Sequence, residues 1–507
     1  MKKVIDKLAL LKKVNVGSWI AEEEGNELES YFVETNQWSD FFSGRYDIIY
    51  GPKGSGKSAY YVSLLKKQSE LARNKIFVIP AENMRGDVIF KNINLDPPPS
   101  EKDFEHLWEL YFLIIIGQYF LKSNIADDIV KILKNEHLID ESFSLPQLLS
   151  SARNYIKGLM NPEGLESTLK VNEATGVPSG ISLKVLFRDP TPKEKGAGIT
   201  SVDNLLKRCD FELKNRDKFL WIALDRLDVA FAENPNLEEN ALRSLFRVYL
   251  NFFSFENIKI KLFLRTDIWN RITKKGFREA SHITRFTTIK WSSEDLIDMI
   301  IKRLSRPIEI KEYYGISDVN SMTAILKHKL FYRMLPKGIE GTVRKPDTLK
   351  WMVSRTQDAS NEASPRELIH LLSASREEQI RRLELGHKKP PQETLFENVS
   401  IKKALAVVSK VKIEQTLYAE YPNLKSFIIK LENEHSEQNI ETLCKLWNIN
   451  QEEASKIAER LVEVGFFLKK GTKTNPSYWV PFIYRSTLKL IQGSSFKKRK
   501  QIKHSKK

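Results

Sequence analysis

The sequence predicts an α/β protein: a three-layer αβα domain on a parallel sheet, then a run of helices, then helix–turn–helix and hairpin. Three observations carry this reading. A buried-strand pattern at Tyr46–Tyr50 runs into Gly51-Pro-Lys-Gly-Ser-Gly-Lys-Ser58 and then into an apolar-periodic segment. Two further apolar strands end in polar residues: Lys218–Leu224 in Asp225, and Ile258–Leu264 in Arg265-Thr-Asp267. From Ser292 onward helical spacing dominates until Phe466–Lys470 and Tyr478–Tyr484 read as the two arms of a hairpin.

The first element is strand, glycine loop and helix, the context in which G-x-x-x-x-G-K-S is a phosphate loop. Gly51, Gly54 and Gly56 let the backbone turn tightly and approach a phosphate chain without a Cβ in the way. Loop N–H groups and the helix N-terminus then face the anion. Lys57 supplies a charge to the β- and γ-phosphates, and the Ser58 hydroxyl ligates Mg²⁺. Pro52, Lys53, Ser55 and Ala59 complete the cradle. The fold class is therefore that of a P-loop NTPase. ATP is favoured over GTP because no N-K-x-D guanine-reading element follows.

Composition bounds the rest. A chain of 507 residues holds two or three domains and a full core. The opening MKKVIDKLALLKKV lacks the sustained apolar core of a secretory signal, and Tyr111–Leu121 is too short to cross a bilayer. Cys209 and Cys444 form neither a disulfide framework nor a zinc spacing, so a cytoplasmic protein without a membrane partner is expected. Net charge is +16, and seven lysines and arginines lie in the tail Phe496–Lys507. Such a tail either grips a phosphate backbone or is a solvated end.

In chain order, residues 1–44 lead into the loop, and Glu29–Phe42 is expected beside the nucleotide base or over the sheet. The ATPase core covers 45–291, with strands at Lys75–Pro80 and Thr287–Trp291 and an insert at 97–198. Within the insert Glu101–Leu159 is helical, and Asn161–Gly198 reads as a loop or small hairpin. Asp225 sits where a Mg²⁺-side carboxylate belongs, on a rigid strand end beside the phosphate loop. Asp228 either polarises the attacking water or caps a helix. Arg265 senses the γ-phosphate or pairs with Asp225, Asp228 or Asp267. Residues 292–386 are helical. Arg366 begins a helix there, where a bare cation opposes the helix dipole; either a nearby anion such as ATP, or Glu367 or Glu362, compensates it.

A linker is expected at 387–399, a winged-helix-like domain at 400–493 and the basic tail at 494–507. The second helix of the helix–turn–helix carries Glu452, Glu453, Glu459 and Glu463 against Lys456 and Arg460, a poor surface for phosphates. Lys469, Lys470 and Lys473 on the wing, with the tail, are the better nucleic-acid candidates.

Taken in order, GPKGSGKSA, the Asp225-Arg-Leu-Asp228 strand end, FLRTDIW, SPRELIHLL and YWVPFIYR resemble a prokaryotic group of P-loop ATPases similar to the KAP, STAND and AAA+ branches of the additional-strand class. The resemblance covers most of the chain and is weakest over Pro97–Gly198. It implies an extra strand between the phosphate-loop strand and the Asp225 strand, a helical lid over 292–386, ATP hydrolysis and oligomerisation. It assigns Asp228 an assisting role in catalysis and Arg366 the role of lid arginine, and it offers Arg278 or Arg285 as an arginine acting on the next subunit. Arg226 departs from the AAA+ pattern, which places Glu directly after the metal aspartate; slow, switch-like turnover fits better than a motor.

The leading expectation is an ATP-gated conformational or oligomeric switch, with Lys57, Arg265 and Arg366 around the γ-phosphate. By analogy it serves antiphage defence beside a separate effector protein. The alternative is an ATP-gated DNA-binding protein of initiator-like architecture, using the winged helix and basic tail.

Overall fold

Strands β1 Ile48–Gly51, β2 Ile76–Pro80, β3 Phe219–Leu224, β4 Ile258–Arg265 and β5 Phe286–Thr288 pair in parallel, in the order β2-β3-β4-β1-β5, in a computed structural model of the chain. The structure describes residues 6–81, 100–160, 184–227, 235–274, 276–340, 346–360, 364–391, 393–472 and 475–496. β4 lies between the phosphate-loop strand β1 and the strand β3 that leads to Asp225, so the additional strand is present. The three inner strands are near-continuous apolar runs because helices cover both faces of the sheet, while β2 and β5 at the edges are partly exposed. This is the αβα fold of a P-loop NTPase.

The described residues group into two compact units. One comprises Asn36–Gly51 and Lys57–Thr288; the other comprises Met1–Thr35, Pro52–Gly56 and Ile289–Lys507.

In the sheet unit, helix Glu101–Ser123 starts at a Ser100/Asp103 capping box and packs against helix Pro235–Asn251. Tyr111–Gln118 is buried without a break, so the middle of this helix is enclosed on all sides as a core element. Phe41, on helix Asn36–Phe42, meets Phe263 of β4 edge-on at 5.3 Å, which puts this part of the lead-in segment over the sheet. The small hairpin expected near the end of the insert is instead a parallel pair, Val185–Leu186 with Thr200–Ser201. A helical turn, Pro192–Gly196, capped by Thr191 and Glu194, lies between its strands and replaces the tight reversal an antiparallel pair needs. The fifth strand is Phe286–Thr288, pairing with Ile48–Tyr50, rather than Thr287–Trp291. Trp291 is past the strand end.

A buried charge cluster braces this sheet. Lys261 on β4 is fully buried; its Nζ donates to Asp47 Oδ1 at 2.9 Å and Tyr46 O at 2.6 Å. Arg285 Nε donates to Asp47 Oδ2 at 2.6 Å. Burial pushes the Lys261 ammonium down to about 8, with Asp47 pulling the other way. The sign of the linkage follows: between pH 8 and the ordinary value of 10.5 the unfolded chain keeps a proton that the folded chain has lost. Stability from this group therefore rises with pH in that window, by roughly 1.4 kcal/mol per unit at most. Urea unfolding of wild type and Lys261→Met at pH 7 to 10 is expected to show the difference moving in favour of wild type as pH rises.

In the helical unit, helix Ser293–Leu304 begins at the Ser292/Asp295 capping box. Helix Pro365–Glu384 packs along helix Asn398–Val411, which runs on into a π-helical turn, Lys412–Leu417. Residues near the N-terminus are tied into this unit. Arg303 forms a buried ion pair with Glu24 and donates to Val16 O at 2.7 Å, and Arg376 donates to Leu11 O at 2.9 Å and Lys12 O at 3.0 Å. Within 387–399, Leu395 and Phe396 are fully buried, and Leu395 N–H donates to Met334 O at 2.8 Å.

The winged helix is present. Helices Ile440–Trp447 and Gln451–Glu463 are separated by Asn448 in the left-handed region (φ 57) and by the Asn450 cap. Strands β6 His435–Asn439, β7 Leu468–Gly471, β8 Pro476–Trp479 and β9 Ile491–Ser494 form a sheet in the order β9-β6-β8-β7. The second wing strand stops at Trp479 instead of continuing to Tyr484. Pro481 lacks an N–H for the ladder and suits a helix start, so Phe482–Arg485 forms one helical turn.

Candidate functional site

The phosphate loop joins β1 to helix Lys57–Lys66. Gly54 (φ 81) and Gly56 (φ 106) adopt a backbone that L side chains rarely take. At Gly54 space forbids a side chain as well, because a Cβ would lie 2.6 Å from Ser364 Oγ and 3.1 Å from Glu367 Oε2. A loop that binds anions through N–H groups must turn carbonyls elsewhere. Here Ser55 O accepts from Trp291 Nε1 at 2.8 Å and Gly54 O accepts from the Arg366 N–H at 3.4 Å. Ser55 Oγ is buried with no hydrogen-bond partner, a polar atom that only a ligand or water can satisfy. Lys53, the third residue of the motif, forms an ion pair with Glu420.

In the sheet unit, Lys57 Nζ donates to Gly51 O at 2.8 Å, and Ser58 Oγ donates to Asp225 Oδ2 at 2.9 Å. Asp225 is 4% exposed and is followed by Arg226 at φ 55, an uncommon conformation for a non-glycine residue that turns the chain sharply at the strand end. Among the described residues no three His, Cys, Asp or Glu side chains converge as a metal cage. One hydroxyl beside one carboxylate is the protein share of a Mg²⁺ site completed by phosphate and water, so the residues fit Mg²⁺ rather than a structural metal.

Arg265 is paired with Asp267, Nε to Oδ1 at 3.0 Å and Nη2 to Oδ2 at 2.8 Å, one of the ion pairs weighed from the sequence. Burial works to raise the Asp267 pKa, but the Arg265 charge and hydrogen bonds, with Lys57 nearby, hold it below the usual range. Thr266 Oγ1, between them, is buried without a partner. Arg366 lies in the first turn of helix Pro365–Glu384 and is half-buried. Glu367 feels the Arg366 charge, but its carboxylate hydrogen-bonds elsewhere, accepting from Lys412 Nζ at 2.8 Å and from Ser364. Glu362 lies outside the described residues, as do Asp228, Lys473 and the tail from Lys497.

The two arginines offered for action on a neighbouring subunit differ. Arg285 is committed to Asp47 and to Gly44 O, whereas Arg278 is exposed on the turn Arg278–His282. On the wing, Lys469 pairs with Glu459 and Lys470 lies 4.5 Å over the Trp479 ring. Trp291, Ser364, Glu367 and Glu420 are neighbours of the loop that no sequence motif marks as such. The Pro-Arg-Glu run at a helix start is the local signal, and it points to Arg366 with Glu367 as an alternative partner.

No protein-family profile matches the chain, and no curated relative matches it. Among solved structures, the chain is similar to the Aeropyrum pernix ORC1 protein in complex with DNA, at 10% identity and a TM-score of 0.35, over 87% of this chain and 86% of that one. It is also similar to the Aeropyrum pernix ORC2 protein in ADPNP–ADP complexes (12%, TM-score 0.39, 91% and 92%) and to CDC6P from Pyrobaculum aerophilum (11%, TM-score 0.30, 96% and 98%). Among the described residues no helix is long and apolar enough to cross a membrane.

Proposed function

We propose that the chain is an ATP-binding and hydrolysing P-loop ATPase whose nucleotide state is read by its helical and winged-helix regions. The observation that carries this is the Ser58 Oγ–Asp225 Oδ2 hydrogen bond of 2.9 Å, which joins the first turn of the helix that follows the G-x-x-x-x-G-K-S sequence to the acid at the end of β3. Mg²⁺ supplies charge neutralisation at the phosphates when bound. Ser58 and Asp225 would hold it, and Lys57, now donating to Gly51 O, and Arg265, now paired with Asp267, would supply positive charge to the phosphates. Arg366, whose N–H already meets the loop at Gly54, reads the phosphate that residues 52–56 hold. Asp228 remains the candidate base and Arg278 the candidate arginine for a neighbouring subunit.

Lys57→Ala tests the reading. Loss of a charge-assisted phosphate contact is expected to weaken Mg²⁺–ATP affinity by about 10- to 100-fold. Equilibrium binding of a fluorescent ATP analogue measures this, and unchanged affinity removes the assignment. Light-scattering mass with no nucleotide, ADP and a non-hydrolysable ATP analogue then asks whether assembly is the output.

The initiator-like reading, in which ATP gates DNA binding, stands ahead of an antiphage role with a separate effector, which has no support here. It is favoured by the four-stranded winged helix at the C-terminal end, with Lys469 and Lys470 on β7. Salt-dependent DNA binding that is lost on deleting 496–507 and neutralising the wing lysines supports it; binding indifferent to both changes removes that surface.

A further inference from the structure

The segment Tyr478–Arg485 builds something the ATPase does not use. Its helical turn brings Phe482 against two guanidinium groups, Arg355 at 4.1 Å and Arg485 at 4.2 Å from the ring centroid. Arg485 also lies 4.3 Å over Trp479, and Arg355 lies 5.4 Å over Trp351. Trp351, Arg355, Phe482 and Arg485, together with Lys402 and Lys489, line a pocket of about 550 Å³. Aromatic faces hold a guanidinium by attraction to the ring quadrupole and leave its N–H edge for another partner.

The charges do not balance. Glu340 is the one carboxylate lining the pocket; it lies 3.4 Å from Arg355 and also accepts from Trp351 Nε1 at 2.9 Å. Lys489 pairs with Glu432 at 3.0 Å. Lys402 is exposed and has no ion pair among the described residues. Arg485 is only 9% exposed, its Nε donates to Val480 O at 2.9 Å, and Nη2 is buried with no hydrogen-bond partner. Burial and the Arg355 charge push the Arg485 guanidinium down to about 10, as expected where cations crowd without an anion. A buried, unpartnered donor on a charged fork is costly, and a small shift of the Arg485 side chain toward an acceptor in the pocket would relieve that cost. The acceptor that matches two guanidinium forks and a lysine is tetrahedral and carries more than one negative charge.

We propose that this pocket binds a phosphate group, carried by a free nucleotide or by a nucleic-acid backbone, through Arg485, Arg355 and Lys402. The site is separate from the phosphate loop, and the inference does not rest on ATP hydrolysis.

The test uses the full chain bearing Lys57→Ala, so that the phosphate loop contributes little, and titrates it calorimetrically with inorganic pyrophosphate. One saturable site is expected. Adding Arg485→Met is expected to weaken it about tenfold or more, and adding Lys402→Glu several-fold. Lys402 is exposed, so its variant keeps the measurement decisive if Arg485→Met fails to fold. AMP and a short single-stranded oligonucleotide then serve as competitors. Displacement by AMP alone assigns a nucleotide, and stronger displacement by the oligonucleotide assigns a backbone phosphate. The proposal is overturned by no saturable pyrophosphate site, by affinity that Lys402→Glu leaves unchanged, by failure of both competitors, or by succinate binding as tightly as pyrophosphate.

Discussion

Asp225→Asn is expected to lower Mg²⁺-dependent ATP turnover by roughly 10²- to 10³-fold, the effect of removing one preorganised electrostatic group from a transition state. Asparagine keeps the volume and an acceptor for the Ser58 hydroxyl, so the 2.9 Å contact and the fold around β3 survive. What is lost is the charge proposed to hold the metal. Binding of ATP without metal is expected to stay close to wild type, because Lys57 and the loop amides are untouched. The Mg²⁺ concentration needed for half-maximal turnover is expected to rise. Turnover and metal-free binding that fall together would mean that Asp225 shapes the strand end and does not serve the metal.

Much of this site was legible because its signals are local. The loop motif spans adjacent residues, and its strand and helix follow from hydrophobic pattern alone. The strand ending at Asp225 is a six-residue apolar run followed by an acid, which pattern reading finds readily. The neighbours of the loop carry no such mark. Ser364, Glu367 and Glu420 reach Gly54 and Lys53 from more than 300 residues away, and nothing at those positions differs locally from a capped or salt-bridged surface helix. Asp47 looks like a solvated residue at a strand start, yet it accepts from both Lys261 and Arg285. Val480 and Phe482 continue an apolar run that extends the expected wing strand to Tyr484, whereas Pro481 ends the ladder. The π-helical turn at Lys412–Leu417 has no sequence signature, since it depends on where the side chains of one helix must go.

That turn begins at a residue whose removal should be felt widely. Lys412 and Glu367 form a buried ion pair at 2.8 Å, with side-chain exposures of 6% and 8%. Burial opposes both charges, but each is held ionised by the other: the Glu367 pKa lies below and the Lys412 pKa above its ordinary value. Glu367→Ala leaves the ammonium buried with only Asp358 at 3.9 Å, and is expected to destabilise the helical unit by about 3–5 kcal/mol. Lys412→Met alone strands the carboxylate and is expected to cost a similar amount. The double variant Glu367→Met/Lys412→Met removes both charges together and is expected to recover most of the loss, because a well-packed apolar pair replaces the desolvated one. Denaturant unfolding followed from the helical unit measures all three, and additive losses in the double variant would show that the pair is not coupled. The stabilisation also has a pH signature. With the Glu367 pKa depressed, it is present above the unfolded-state value near 4.5 and is lost as pH falls through the folded value. ATP affinity in the double variant then separates packing from function. Glu367 and Ser364 line the space beside Gly54. An affinity that stays low after stability has recovered means that the carboxylate shapes the phosphate loop as well as the core, through Ser364. An affinity that returns with stability confines the pair to packing and leaves Arg366 as the candidate at that helix end for sensing the nucleotide.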